Sequence, residues 1–496
     1  MIAFLRGPHR KLLLCFLLIS SSFSAGGANN LPDETLQPAT ASWKINFDGS
    51  GSSPVIADGV LYVGSADGAV YALDPKTGET KWRFQTGEGL SSLPQVITVP
   101  RGTSVADQMI AGTSAAKKQI AAGIRRADMT PAVENGTVFI GSGDHSFYAI
   151  DAATGKKKWS YVAGFGMASN NNTSYPVPAP VLKNGAVYFV TEDGLHALDM
   201  LTGERKWLFE TLQEIPVKQM NLGRKRAPEG PVLGDGVIFV TAWPYRMSIT
   251  PQKSFLYAVA PESGTTKWVT TLDGLDIAAP VAAKGLVFVA AEDPRSAPRP
   301  GDPLGSSSNH GTLYAINAID GQVRWNLGAD RKYGTSRLLI AGNTIYFQTD
   351  KSLIAADLET GRPLWNFSAD DIQGDPRVDD QHLYVVTHKG TIARPDDTLH
   401  ALALMTGQEK WSQGLSGGAY LRMVHEGVVY AGREYLHAID AATGKKLWSF
   451  KGTGRESARL ISGDRIFLIS PTVEYFGTSR VDQGYLYAID AKTGKP

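Results

Sequence analysis

Four arginines occupy related places in a chain that otherwise offers few groups for chemistry. Arg422 lies at a position that five earlier copies of an internal repeat fill with Pro54, Pro131, Pro180, Pro231 and Pro280, five residues ahead of a turn glycine, and Arg459 lies at the equivalent place in the last copy. Arg337 and Arg377 lie there or one step away in two further copies. A guanidinium presents paired donors that fit a carboxylate or a phosphate, so four of them gathered at one mouth would bind an anion. The alternative use is internal pairing with Asp370, Asp371, Asp375 or Glu456.

Other reactive residue types are sparse. Arg125 and Arg126 follow Lys117 and Lys118 in an Ala-rich insertion, and Arg224-Lys225-Arg226 form a second basic cluster. Each cluster is a candidate contact on a membrane surface or partner, or a solvated loop. Asp144-His145, His310, His382 and His388 are scattered, without the spacing of metal ligands. A Ser-His-Asp set is recognised by geometry, and none can be read here. Asn171-Asn172-Thr173 matches a glycosylation sequon, which matters in a eukaryotic secretory pathway. No catalytic residue and no metal ligand is therefore assigned.

The elements that must carry these residues announce themselves by repetition. Tyr71-Ala72-Leu73-Asp74 leads through Thr77-Gly78 to Trp82, and this phrase returns along the chain with Trp159, Trp207, Trp268, Trp325, Trp365, Trp411 and Trp448. The last copy has Asp490 and Thr493-Gly494 but no Trp, while Trp43 stands alone ahead of the first copy. Before almost every copy lies an apolar run, an Asx-Gly turn and alternating apolar residues, as in Pro54-Val55, Asp58-Gly59 and Leu61-Val63. Asp-Gly and Asn-Gly turn hairpins because both central residues tolerate positive φ. Each unit reads as four antiparallel strands, A to D, with the Trp on strand D.

Four-stranded units of about forty residues in tandem predict an all-β propeller. The count favours nine blades, with an eight-bladed ring and one aberrant repeat as the alternative. Trp43 predicts that an N-terminal strand supplies strand D of the last blade and closes the ring, leaving few open edges.

Composition agrees with a large all-β protein: 496 residues, 43% hydrophobic, with 53 Gly and 27 Pro. A net charge of +1 gives no electrostatic case for nucleic acid. No internal stretch approaches the roughly 20 apolar residues of a membrane span. Basic residues Arg6 to Lys11, the apolar run Leu12 to Ile19 and small residues thereafter predict a secretory signal peptide over 1–25. Residues 26–41 read as a flexible lead-in, and 42–496 as one propeller domain with an insertion at 100–128. The single cysteine, Cys15, falls in the signal, so the mature chain is expected to lack disulfides and Cys-based metal or redox sites. The expected location is periplasmic or secreted, and the expected state is a monomer.

The phrase Ala-x-Asp-x-x-Thr-Gly-x-x-x-Trp resembles the tryptophan-docking motif of the pyrroloquinoline-quinone (PQQ) repeat family, over about residues 43–496. The resemblance implies that the Trp set is structural, packing on the neighbouring blade. It spans periplasmic PQQ-dependent dehydrogenases and non-enzymatic scaffolds of the BamB type. The dehydrogenases typically hold Ca²⁺ through oxygen ligands beside the quinone, under a vicinal disulfide that this chain cannot form. Glu229 and Asp375 are ligands only in the sense that any acidic loop residue is.

Loop lengths are asymmetric. Long connections fall between D and A (85–128, 162–177, 211–229) or between B and C (243–254, 291–310, 388–397, 470–484). Strand alternation puts both kinds on one face, and loops on a rigid scaffold are where binding concentrates. The function expected is a non-catalytic, exported scaffold whose loop-rich face binds an envelope or extracytoplasmic protein, or an anionic ligand. The alternative is a PQQ-dependent dehydrogenase of alcohols or sugars, and only under it are PQQ and calcium expected as cofactors.

Overall fold

In the computed structural model, residues 41–494 are described apart from 48–50, 66–67, 88–129, 143, 145, 164–178, 192, 212–228, 243–252, 275–278, 294–309, 330–337, 350–351, 370, 392–393, 417–418, 434, 452–457 and 477–478. The expected signal peptide, lead-in and insertion lie outside the described residues, apart from Ala41 at the end of the lead-in.

Every described strand belongs to one of nine four-stranded antiparallel sheets. Eight of them use consecutive strands, and the ninth has the order β1-β36-β35-β34. Here β1 is Trp43–Phe47, β34 Ala458–Ser462, β35 Arg465–Phe476 and β36 Ser479–Asp490. Trp43 pairs with Ala488 and Phe47 with Gly484, so the first strand completes the last blade. The protein is a nine-bladed propeller, closed as Trp43 predicts.

Local chemistry sets each blade. Asp58, Asn135, Asn184, Asp235, Lys284 and Glu426 adopt positive φ, and each precedes a glycine that does the same, which makes tight A–B hairpins. At the C–D turn an aspartate side chain takes the place of a backbone partner. The Asp74 Oδ1 accepts from the N–H groups of Lys76 and Thr77 at 2.8 and 3.0 Å. Asp151, Asp199, Asp357, Asp440 and Asp490 do the same for their own turns. In blades 4 and 7 the side chain is missing, since Ala260 and Ala403 occupy the place, yet the backbone bonds of the turn remain.

The blades are joined by the tryptophans. In each of the nine strand-D tryptophans the indole Nε1 donates to a carbonyl in the C–D turn of the next blade, at 2.9–3.2 Å, from Trp43 to Pro75 round to Trp448 to Lys492. The ring lies flat against the turn glycine. A Cβ on Gly78, Gly155, Gly203, Gly264, Gly321, Gly361, Gly407 or Gly444 would stand 2.5–2.7 Å from an indole atom, and these glycines have φ between +69 and +75°. Only glycine meets both conditions. Behind each Trp sits a buried aromatic from strand B of the same blade, with centroids 5.7–5.9 Å apart and planes tilted by 40–50°. In three blades a tyrosine adds a second donor: the hydroxyls of Tyr62, Tyr188 and Tyr346 reach the same carbonyls of Ala152, Pro261 and Leu404 that the indoles use.

Candidate functional site

The B–C segments 388–397 and 470–484, read from sequence as long connections, are largely paired hairpins. Strand β27 (His382–Thr391) pairs with β28 (Arg394–Ala403) to its tip, where Thr391 faces Arg394. Strands β35 and β36 stay in register from Arg465–Asp490 to Phe476–Ser479. Among the described residues, their inner neighbour β34 pairs as far as Ile469 and their outer neighbour β1 as far as Gly484. The distal part of this hairpin therefore extends past the described residues of both neighbouring strands.

The inner strands of blades 7 and 8 are irregular where the arginines sit. Strand β26 (Ile372–Val378) shifts register between Gln373 and Arg377, and β30 (Tyr420–His425) between Leu421 and Met423, which makes Arg422 the extra residue. A bulge re-aims side chains and recurs beside functional sites. Gly374, with φ +72°, leaves room for Tyr420, whose ring is 3.4 Å from where a Cβ would be. The Arg422 guanidinium lies over Tyr420 at 5.2 Å and its Nε donates to the Gly432 carbonyl at 2.8 Å. Arg377 donates to the Pro376 carbonyl and stands 3.9 Å from Asp375. The two arginines thus occupy neighbouring inner strands, each with local partners. The backbone of Arg459 is placed opposite Leu468 in β34. Arg337, Arg125, Arg126, Arg224, Lys225 and Arg226 lie outside the described residues.

Blade 7 also collects histidines that sequence reading left scattered. The His388 Nδ1 is 2.6 Å from Asp397 Oδ1. Asp397 is fully buried, and its other oxygen accepts from the backbone N–H of Ala419, at the entry to blade 8. His400 Nδ1 is 2.6 Å from Glu409, and its Nε2 is 2.9 Å from the Thr387 hydroxyl. Burial holds the His400 imidazole below the usual histidine range, although Glu409 pulls the other way. The Asp379 Oδ2 accepts from the Tyr384 hydroxyl at 2.6 Å, and burial together with that carboxylate pushes the phenol well above its ordinary value. The two histidine–carboxylate pairs span strands. Once His382 is paired with Ala403, counting along the hairpin puts His388 opposite Asp397, so the signal was the register and not a spacing motif. No group of three or more potential metal ligands occurs among the described residues.

A family model described as outer membrane protein assembly factor BamB matches residues 37–128, 113–219, 309–413 and 395–496, which covers most of the chain. The chain belongs to the PQQ-like repeat β-propeller family. Within that family, BamB of Moranella endobia (strain PCIT) is 24% identical over 289 residues, covering 54% of this chain and 64% of the relative. The quinohemoprotein alcohol dehydrogenase ADH-IIG of Pseudomonas putida is 25% identical over 359 residues, covering 65% of this chain and 44% of the relative. The chain thus spans less than two thirds of either relative. The crystal structure of the quinohemoprotein alcohol dehydrogenase of Comamonas testosteroni aligns over 92% of this chain and 77% of its own, with a TM-score of 0.49 and 15% identity.

Proposed function

We propose that this PQQ-like propeller is an exported binding scaffold of the cell envelope, and that its partner is an envelope protein docking on the loop-rich face. The carrying observation is the β35–β36 hairpin, which stays paired to Phe476–Ser479 and extends past the described residues of its neighbours on one face of the ring. Ordered projections on a fixed frame bind at a smaller ordering cost than slack loops do. Distant relatedness to outer membrane assembly factors supports the partner class. A photo-crosslinking residue placed at Tyr475, in the hairpin, should capture one envelope protein. The same residue at Lys76, in a C–D turn on the opposite face, should not. Equal capture from both faces would sink the docking face. Stoichiometric calorimetric binding of PQQ with Ca²⁺, together with dye-linked oxidation of alcohols or sugars, would instead establish the dehydrogenase reading that the second group of relatives suggests.

On the same reading, Arg337, Arg377, Arg422 and Arg459 contribute an anion contact at the inner wall. A folded Arg422→Ala/Arg459→Ala protein should lose calorimetric binding of inorganic phosphate or citrate. Retained binding would leave these arginines as structural residues.

A further inference from the structure

The His388–Asp397 pair goes beyond a binding scaffold. Asp397 is the unusual member, because a fully buried carboxylate is costly unless its oxygens are satisfied. Both of its oxygens are engaged, one by His388 Nδ1 at 2.6 Å and the other by the Ala419 N–H. The backbone of His388 is fixed as well, since its N–H donates to the Asp371 carbonyl at 2.8 Å. Its side chain remains 21% exposed. A carboxylate that accepts from Nδ1 sets the tautomer, so the neutral ring carries its lone pair on Nε2. One step toward the tip the charged residues Lys389 and Asp396 face each other across the hairpin, and Asp371 immediately precedes the adjoining inner strand β26.

We propose that His388 is a general base, with Asp397 as its positioning residue, able to promote hydrolysis of carboxylic esters that reach the loop-rich face of blade 7. In this step Nε2 removes a proton from a water molecule as the water oxygen bonds to the ester carbonyl carbon. The imidazolium that forms is balanced by the Asp397 carboxylate. The tetrahedral adduct then expels the alcohol or phenol oxygen as the acyl C–O bond breaks, and the imidazolium returns its proton to that oxygen. Acid and alcohol are the products, and no metal or co-reactant is consumed. A positioned base of this kind contributes on the order of 10²–10⁴-fold.

The test uses the full chain and p-nitrophenyl acetate. The wild-type rate should rise with pH and then level off, as it does when a general base acts. His388→Gln should lower the protein-dependent rate by about tenfold or more and abolish that rise. His425→Gln, a change at another partly exposed imidazole, should leave both intact. Asp397→Asn, if it folds, should lower the plateau and move the pH profile. If it does not fold, His388→Gln decides alone. A His388→Gln protein that hydrolyses the ester at the wild-type rate, with the wild-type profile, overturns the proposal. The scaffold reading is untouched by that outcome, because crosslinking at Tyr475 is measured separately.

Discussion

His196 is 2% exposed between aromatic neighbours: it stacks on Phe189 at 5.0 Å and meets the edge of Tyr161. Its Nε2 is 2.9 Å from the Thr191 hydroxyl, and its Nδ1 has no hydrogen-bond partner among the described residues. Burial, with Arg205 adding repulsion, pushes the imidazole down from 6.5 to about 4. The folded protein keeps this ring neutral, so the unfolded chain takes up the proton first. Stability from this group is therefore complete above about pH 6.5, declines as pH falls toward about 4, and changes no further below that. The full effect is roughly 3 kcal/mol. Urea unfolding across this range should show the decline in the wild type, and His196→Phe should flatten it. An unchanged slope in the variant would assign the decline to other groups.

At the scale of elements, β1 bears the heaviest role for its length. Five residue pairs tie it to β36, and Trp43 docks on Pro75 and Gly78 of the first blade. Trp43→Ala should cost about 3–5 kcal/mol, as loss of a large aromatic does inside a core. Trp268→Ala, in the middle of the chain, should cost a similar amount in denaturant titrations. A much smaller loss for Trp43 would mean that the ring does not depend on closure. This closure was legible in advance because an orphan Trp43 and a ninth copy without its Trp account for each other. The blade pattern was legible for the same reason, since Asx-Gly turns and Thr-Gly-x-x-x-Trp spacings are local signals. The aromatic behind each Trp was not singled out, although Tyr62, Phe139 and Tyr188 hold equivalent places, because its partner lies two strands away. The His388–Asp397 pair escaped notice because residues nine apart meet only after a hairpin fixes their register. The segments 388–397 and 470–484 read as loops because polar, proline-containing sequence hides strand pairing.

Across the whole molecule, one contact is repeated at every blade junction. Indole to carbonyl, indole to glycine and aromatic to indole recur from blade to blade, so stability is spread over the ring instead of concentrated in one core. Variation is placed elsewhere: in the inner-strand bulges of blades 7 and 8, in the histidines of blade 7, and in the long hairpins of blades 7 and 9. A uniform frame with local departures is the arrangement in which new surface chemistry can be added without disturbing the fold. The propeller's specific properties are accordingly sought in those departures and not in the repeat.

The pairing of β1 with β36 also has a mechanical meaning. Residue 41 and residue 494 emerge at the same end of two adjacent antiparallel strands, because Trp43 faces Ala488 and Phe47 faces Gly484. Tension applied between those residues would not load the ladder in shear, where many hydrogen bonds resist together. It would peel the strands apart one pair at a time, beginning at Trp43. A ring held together by distributed junctions would thus part under a modest pull at this one seam.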